Sequence, residues 1–308
     1  MMRSVLAQIV LSMVSSTAVL ACGFHNYAPQ PAFVDRMLAS DQVVLARPDR
    51  ANPFRYTATE RLLGDGALSD IPYLVDSTSR RKLASDRDAA VLFARSAVDG
   101  TWHRTAFVDS ATEPVVRTVI EKLPQWSQKT DTARFQFFAS LADHPDATIH
   151  QMALRELDLA PYGVLRDLPI IVDETRLSQP LDDPTQQQLK PIRILLLGLS
   201  GAQDIAAGFI AGLDRQVRVE GSTLGAYATA LIELEGADAI DAYIVPHLKD
   251  PQASLLVREV LIQAMSMHAG SDDADLEKSI VSSVRQALAL EPALMGAVVR
   301  NFGWRAGQ

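Results

Sequence analysis

The sequence is short of the groups on which most recognisable chemistry depends. It has a single cysteine, Cys22, in 308 residues, so no disulfide can form within the chain and no sulfur-rich metal site can be completed. Six histidines are present, His25, His103, His144, His150, His247 and His268, and no two stand at the i, i+4 spacing that places two imidazoles on one helix face. His144 and His150 are six apart across a helix joint, so all six read as surface or capping residues. Lysine and arginine form no basic run, and 29 basic against 37 acidic side chains give a net charge of −8. Nucleic acid is not expected as a partner, because that binding depends on neutralising phosphates. Beyond residue 20 no long uncharged stretch recurs to suggest a membrane span.

The N-terminus is where apolar sequence is concentrated. Arg3 precedes an uncharged, mostly apolar run over residues 5–20, which reads as an export signal covering residues 1–21. The run closes on Val19-Leu20-Ala21-Cys22, which resembles a bacterial lipobox. That resemblance implies lipid on Cys22, a membrane anchor, and a place in the periplasm or cell envelope. Gly23 after the cysteine implies outward sorting if the cell has two membranes. Ordinary cleavage near Cys22, leaving a free thiol, is the alternative, and either route exports the chain.

Residues 22–110 read as a small β domain. A turn-rich leader and a brief helix from Phe33 to Leu38 come first. Strands follow at 42–47 and 54–63, with Gly64-Asp65-Gly66 as the turn after them. Weaker strands are expected at 71–75, 89–95 and 102–108, with a hairpin turn at Asp99-Gly100. From residue 113 to 126 the period turns helical, with Val116, Val119, Ile120 and Leu123 on one side, giving a bridge over 111–129. The order of Cys22, Ser40-Asp41-Gln42-Val43-Val44-Leu45-Ala46 and Phe54 through Gly64 is similar to the start of a netrin-type module. This is the five-stranded OB barrel of the tissue inhibitors of metalloproteinases. It implies a barrel here, with an unrelated small sandwich as the alternative. It also implies inhibition or sensing through that module, although those inhibitors depend on disulfides that this chain lacks.

Residues 130–308 read as paired amphipathic helices. Phe135, Phe138, Leu141 and Ala142 share one face; after His144-Pro145-Asp146, so do Ile149, Met152, Ala153 and Leu157, with Gln151, Arg155 and Glu156 turned to water. Asp146 is the expected N-cap of the second helix. This unit resembles a HEAT-type repeat, and looser copies follow, closed by Gly198, Gly201 and Gly236, with Pro251 expected in a first helical turn. Such pairs bury their apolar sides by stacking. The expected fold class is therefore α+β by segregated domains, a small β barrel or sandwich followed by a HEAT-like α-helical solenoid.

No catalytic set assembles. Gly198-Leu199-Ser200-Gly201 touches the nucleophile-elbow pattern, but the elbow needs a preceding strand and 192–199 reads as helix. Asp273, Asp275 and Glu277 alternate like calcium ligands, yet no central glycine follows and a helix N-terminus explains them. Ser222 or Thr223 reads as an N-cap, and Trp102, Trp126 and Trp304 as packing residues. The expectation is a non-enzymatic binding or scaffolding protein with a protein partner, no cofactor and no metal. The alternatives are an inhibitor or sensor, and a hydrolase with a cleft between the two domains.

Overall fold

A computed structural model describes residues 30–65, 70–126, 131–179, 181 and 184–303. The expected signal peptide, Cys22, His25, Gly66 and Trp304 lie outside these residues.

The N-terminal part runs α1 (Phe33–Leu38), β1 (Ser40–Pro48), β2 (Tyr56–Leu63), α2 (Ser77–Ser85), β3 (Ala90–Ser96), β4 (Trp102–Val108) and α3 (Glu113–Lys122). Its four strands form one antiparallel sheet in the order β2-β1-β3-β4. The expected barrel or sandwich gives way to an open sheet: among the described residues no strand pairs with the outer edge of β2 or β4 and no second sheet forms, and helices cover the faces. Side chains alternate across the sheet with period two. Val43 and Leu45 join Leu92 and Ala94 on one side, while Val44 and Ala46 join Val91 and Phe93 on the other. The second side is closed by Leu83 of α2 together with Ile71, Val75 and Trp102. Tyr56 meets Phe93 edge-on at 4.9 Å between ring centroids, the arrangement that ring quadrupoles favour. Residues 71–75 make no strand, only an isolated bridge between Leu74 and Arg55. The β3–β4 turn lies at Asp99-Gly100 as expected, with Gly100 at φ 70°. On β4 the register slips: Leu92 pairs with Ala106 but Phe93 with Arg104, leaving Thr105 as a surplus bulge residue.

Helices make up the rest: α4 (Thr132–Ala139), α5 (Ala147–Leu157), α6 (Tyr162–Asp167), α7 (Glu174–Ser178), α8 (Lys190–Ser200), α9 (Ala206–Val219) and α10 (Leu224–Glu235). Then come α11 (Ala237–Ala239), a π turn at Ile240–Ile244, α12 (Val245–Lys249), α13 (Leu255–Ser266), α14 (Ala274–Leu290) and α15 (Met295–Phe302). The molecule is thus a mixed α/β fold, with its sheet in the N-terminal half and helices beyond. Caps set the helix starts. The Asp146 carboxylate accepts from the amides of Thr148 and Ile149, and Asp273 does the same for Asp275 and Leu276. Ser254 caps α13, so Pro251 lies in the preceding turn and not in the first helical turn.

Gly201 ends α8 at φ 76°, where a Cβ would be strained, whereas Gly198 lies inside the helix. Its role is packing: a Cβ there would meet the Cβ of Ala230 at 2.8 Å. That contact lets α8 lie close against α10, which also packs on α9 and α13 and is buried from Leu224 to Ile232. One apolar core runs from Phe33 through the first face of the sheet to Val298 near the C-terminus. The sheet and the helices beyond residue 130 therefore share one core, bridged by α1 between β1, β3 and α5.

Candidate functional site

A groove of about 520 Å³ lies where the edge strand β4 meets α1, the end of α2, and α5. This volume is in the range of ligand clefts. One wall comes from Phe33 and Arg36 of α1 with Thr148, Gln151, Met152 and Arg155 of α5. The opposite wall is Lys82, Ser85 and Asp86 at the end of α2, and the floor is Thr105, Ala106 and Phe107 of β4.

Charge in the groove is unevenly committed. Both carboxylates of the lining are spent on backbone: Asp86 accepts from the amides of Asp88 and Ala89, and Asp109 from those of Ala111 and Thr112. Burial works against ionisation of Asp109. The Thr112 amide and hydroxyl, with the Ala111 amide, outweigh it and hold the carboxyl below its ordinary range. The cations keep free capacity. Arg36 uses its Nε on the carbonyl of Pro31, Lys82 stands 5.1 Å from the centre of the Phe107 ring, and Arg155 is exposed. In an acidic protein this is a locally cationic, half-apolar groove.

Behind the α1–α5 wall lies a buried ionic cluster. Glu156 is fully buried; its Oε1 accepts from the Val34 amide at 2.8 Å, and its Oε2 from Arg134 Nε at 2.9 Å. Arg134, 1 % exposed, also reaches Asp35 Oδ1 at 2.9 Å. Burial pushes the Glu156 carboxyl up, against the pull of Arg134. The cluster ties α1, α4 and α5 together, so it fixes the distance across the groove wall. The sequence reading placed Glu156 in water, and this is corrected. Its spacing from Ile149 and Ala153 already put it on the buried face, but its charge argued otherwise.

A second polar cluster joins α6, α10 and the turn after α13. Glu233 Oε2 accepts from the Tyr162 hydroxyl at 2.6 Å, lies 3.2 Å from Arg166 Nε and 3.5 Å from His268 Nδ1. Burial first, and Glu233 next, push the Tyr162 phenol up. His268 is 2 % exposed, its Nε2 lies 3.2 Å from the carbonyl of Thr229, and burial lowers its pKa to about 4. It is a core histidine, not the surface residue the sequence suggested. Its ring is spent on these neighbours, so the four side chains serve as a structural latch.

The other histidines are local. His144 accepts from the Asp146 amide, His247 faces Asp214 at 3.1 Å, and His103 is exposed on β4. His150 lies against the Ala142 carbonyl and lines a smaller cavity of about 160 Å³ with Arg176 and Arg193. Both guanidiniums there bond to backbone carbonyls, Arg176 to His144 and Arg193 to Leu177. Ser200 is the last residue of α8 and donates to the Leu197 carbonyl, so no strand-to-helix elbow forms. Thr223 takes the N-cap position of α10 without a side-chain cap bond. Among the described residues no group of three His, Cys, Asp or Glu side chains is placed to hold a metal ion, and no helix is long and apolar enough to cross a membrane. No family model, curated protein or solved structure matches the chain.

Proposed function

We propose that this is an exported, non-enzymatic binding or scaffolding protein of the bacterial cell envelope, anchored through a lipid on Cys22, and that the groove beside β4 is its binding surface. The observation carrying this reading is the groove's composition: apolar side chains together with three cations, and both carboxylates withdrawn into turns. Recognition sites combine an apolar floor with a few placed polar groups in this way. Its lining includes hydroxyls at Ser85, Thr105 and Thr148 but no histidine or cysteine to activate one, which favours binding over hydrolysis. The helices beyond residue 130 are read as HEAT-like pairs, supported by the packing of α4 on α5 and of α9 on α10. In that role they are the frame that holds α5 against α1, which in turn lies on β1 and β3.

Two measurements test this. Mass spectrometry of the mature protein is expected to find acylated Cys22 at the N-terminus; an unmodified cysteine, or a chain retaining residues 1–21, removes the anchor. Affinity capture from a membrane fraction is expected to recover a protein partner that the double variant Lys82→Glu/Arg155→Glu does not. A partner held equally by both forms is not held by the groove.

A further inference from the structure

We infer that the free edge of β4 takes up an extended, acidic segment of a partner protein as a fifth strand, laid along the groove. This rests on the groove reading above and adds the mode of binding and the chemistry of what is bound. β4 pairs with β3 on one side, and no described strand pairs with the other; the Tyr73 hydroxyl takes the Trp102 carbonyl, and the outward amides and carbonyls further along are a template for another strand. The groove follows that edge, because Thr105, Ala106 and Phe107 form its floor.

Successive side chains of an added strand point to opposite faces of the sheet. Ala106 packs into the core shared with α5, and Phe107 into the core shared with α2, so each wall of the groove belongs to a different face. Each wall carries a cation, Arg155 on α5 and Lys82 on α2, and neither has an ion-pair partner among the described residues. Adjacent acidic residues in the incoming segment therefore meet one cation each, and the apolar residues beside them lie on Met152 and Phe107. Charge complementarity selects an acidic segment over a basic one. The backbone ladder selects an extended segment over a helix.

The test uses the full mature chain, isotope-labelled, with three synthetic probes. These are the capped peptide Ser-Val-Glu-Glu-Val-Ser, its counterpart with two lysines for the glutamates, and the glutamate peptide N-methylated at alternate amides. The glutamate peptide is expected to slow hydrogen exchange of the outward-facing β4 amides within Arg104–Phe107, those not bonded to β3. It should bind about tenfold more tightly than the N-methylated form, which loses two backbone bonds. Lys82→Glu or Arg155→Glu is expected to weaken it about fivefold each, the worth of an exposed ion pair.

If the N-methylated peptide binds as well as its parent and still responds to Arg155→Glu, strand addition is overturned while the groove stands as a binding surface. If the lysine peptide binds as well as the glutamate peptide, the acidic specificity is overturned. Slow exchange of the outward-facing β4 amides, those not bonded to β3, without peptide also overturns the inference. If concentration-dependent, it shows that a second copy covers the edge, and if concentration-independent, that the chain's own leader does.

Discussion

Replacing Arg134 by methionine isolates the cluster that holds the groove wall. Methionine keeps much of the volume and removes the charge, so the Glu156 carboxylate stays fully buried with the Val34 amide as its remaining close donor. Removing one partner of a buried ion pair costs about 3–5 kcal/mol, most of it the desolvation of the stranded charge. The value here should fall at the lower end, because Asp35, the second acid bound to Arg134, is half-buried and can be rehydrated. Urea denaturation at pH 7 is the assay, and an unchanged m-value shows that the native surface is preserved. The deficit carries its own pH signature. Burial already raises the Glu156 carboxyl, and without Arg134 only the Val34 amide opposes that rise. The folded variant then holds a proton that the unfolded chain releases, so its stability relative to wild type recovers as pH falls from 7 towards 5. The double variant Arg134→Met/Glu156→Leu should be more stable at pH 7 than Arg134→Met alone, since no buried charge is left. A loss below about 1 kcal/mol for Arg134→Met, or a deficit that grows on acidification, would refute the argument that a desolvated carboxylate is what Arg134 holds in place.

Three further outcomes are expected. Gly198→Ala should destabilise by about 1–3 kcal/mol despite alanine's better helix propensity, because the new methyl meets Ala230 at 2.8 Å; an unchanged or higher melting temperature means that α8 can move away from α10 at little cost. His268 is protonated near pH 4 in the folded chain, against 6.5 in the unfolded one. The unfolded state thus binds more protons between those values, and stability should fall by about 3 kcal/mol as pH drops through that window. His268→Gln should lose this part of the slope, and a variant with the wild-type slope removes His268 as its source. Asp146→Ala should cost about 1 kcal/mol through loss of the α5 cap, with lowered amide protection at Thr148 and Ile149 as the local readout.

The parts of the fold that could be read from the sequence are those where local chemistry decides. Asp146 and Asp273 cap the helices they precede, Gly236 ends α10, and β1 through β4 fall on stretches rich in β-branched, aromatic and other apolar residues, continuous in the central strands β1 and β3. What escaped was set by tertiary context. Helix α2 buries only Ser79 and Leu83, so it shows no apolar stripe and is not legible between the strands; the barrel expected there came from the netrin-type resemblance. Glu156 and His268 were assigned to the surface by residue type, although each is enclosed by partners brought from other elements: Arg134 and Val34 for one, Glu233 and Thr229 for the other. The groove could not be seen in any window, since α1, α2, β4 and α5 each contribute only a few of its residues.

The surplus residue at Thr105 bears on how this protein survives at high concentration. A sheet margin that welcomes one guest strand can, in principle, recruit copies of itself without end and grow into fibres. The kink at Thr105 breaks the straight run of edge groups, so a long, flat neighbour finds its register broken. Straightening that kink by deleting Thr105 would thus favour insolubility.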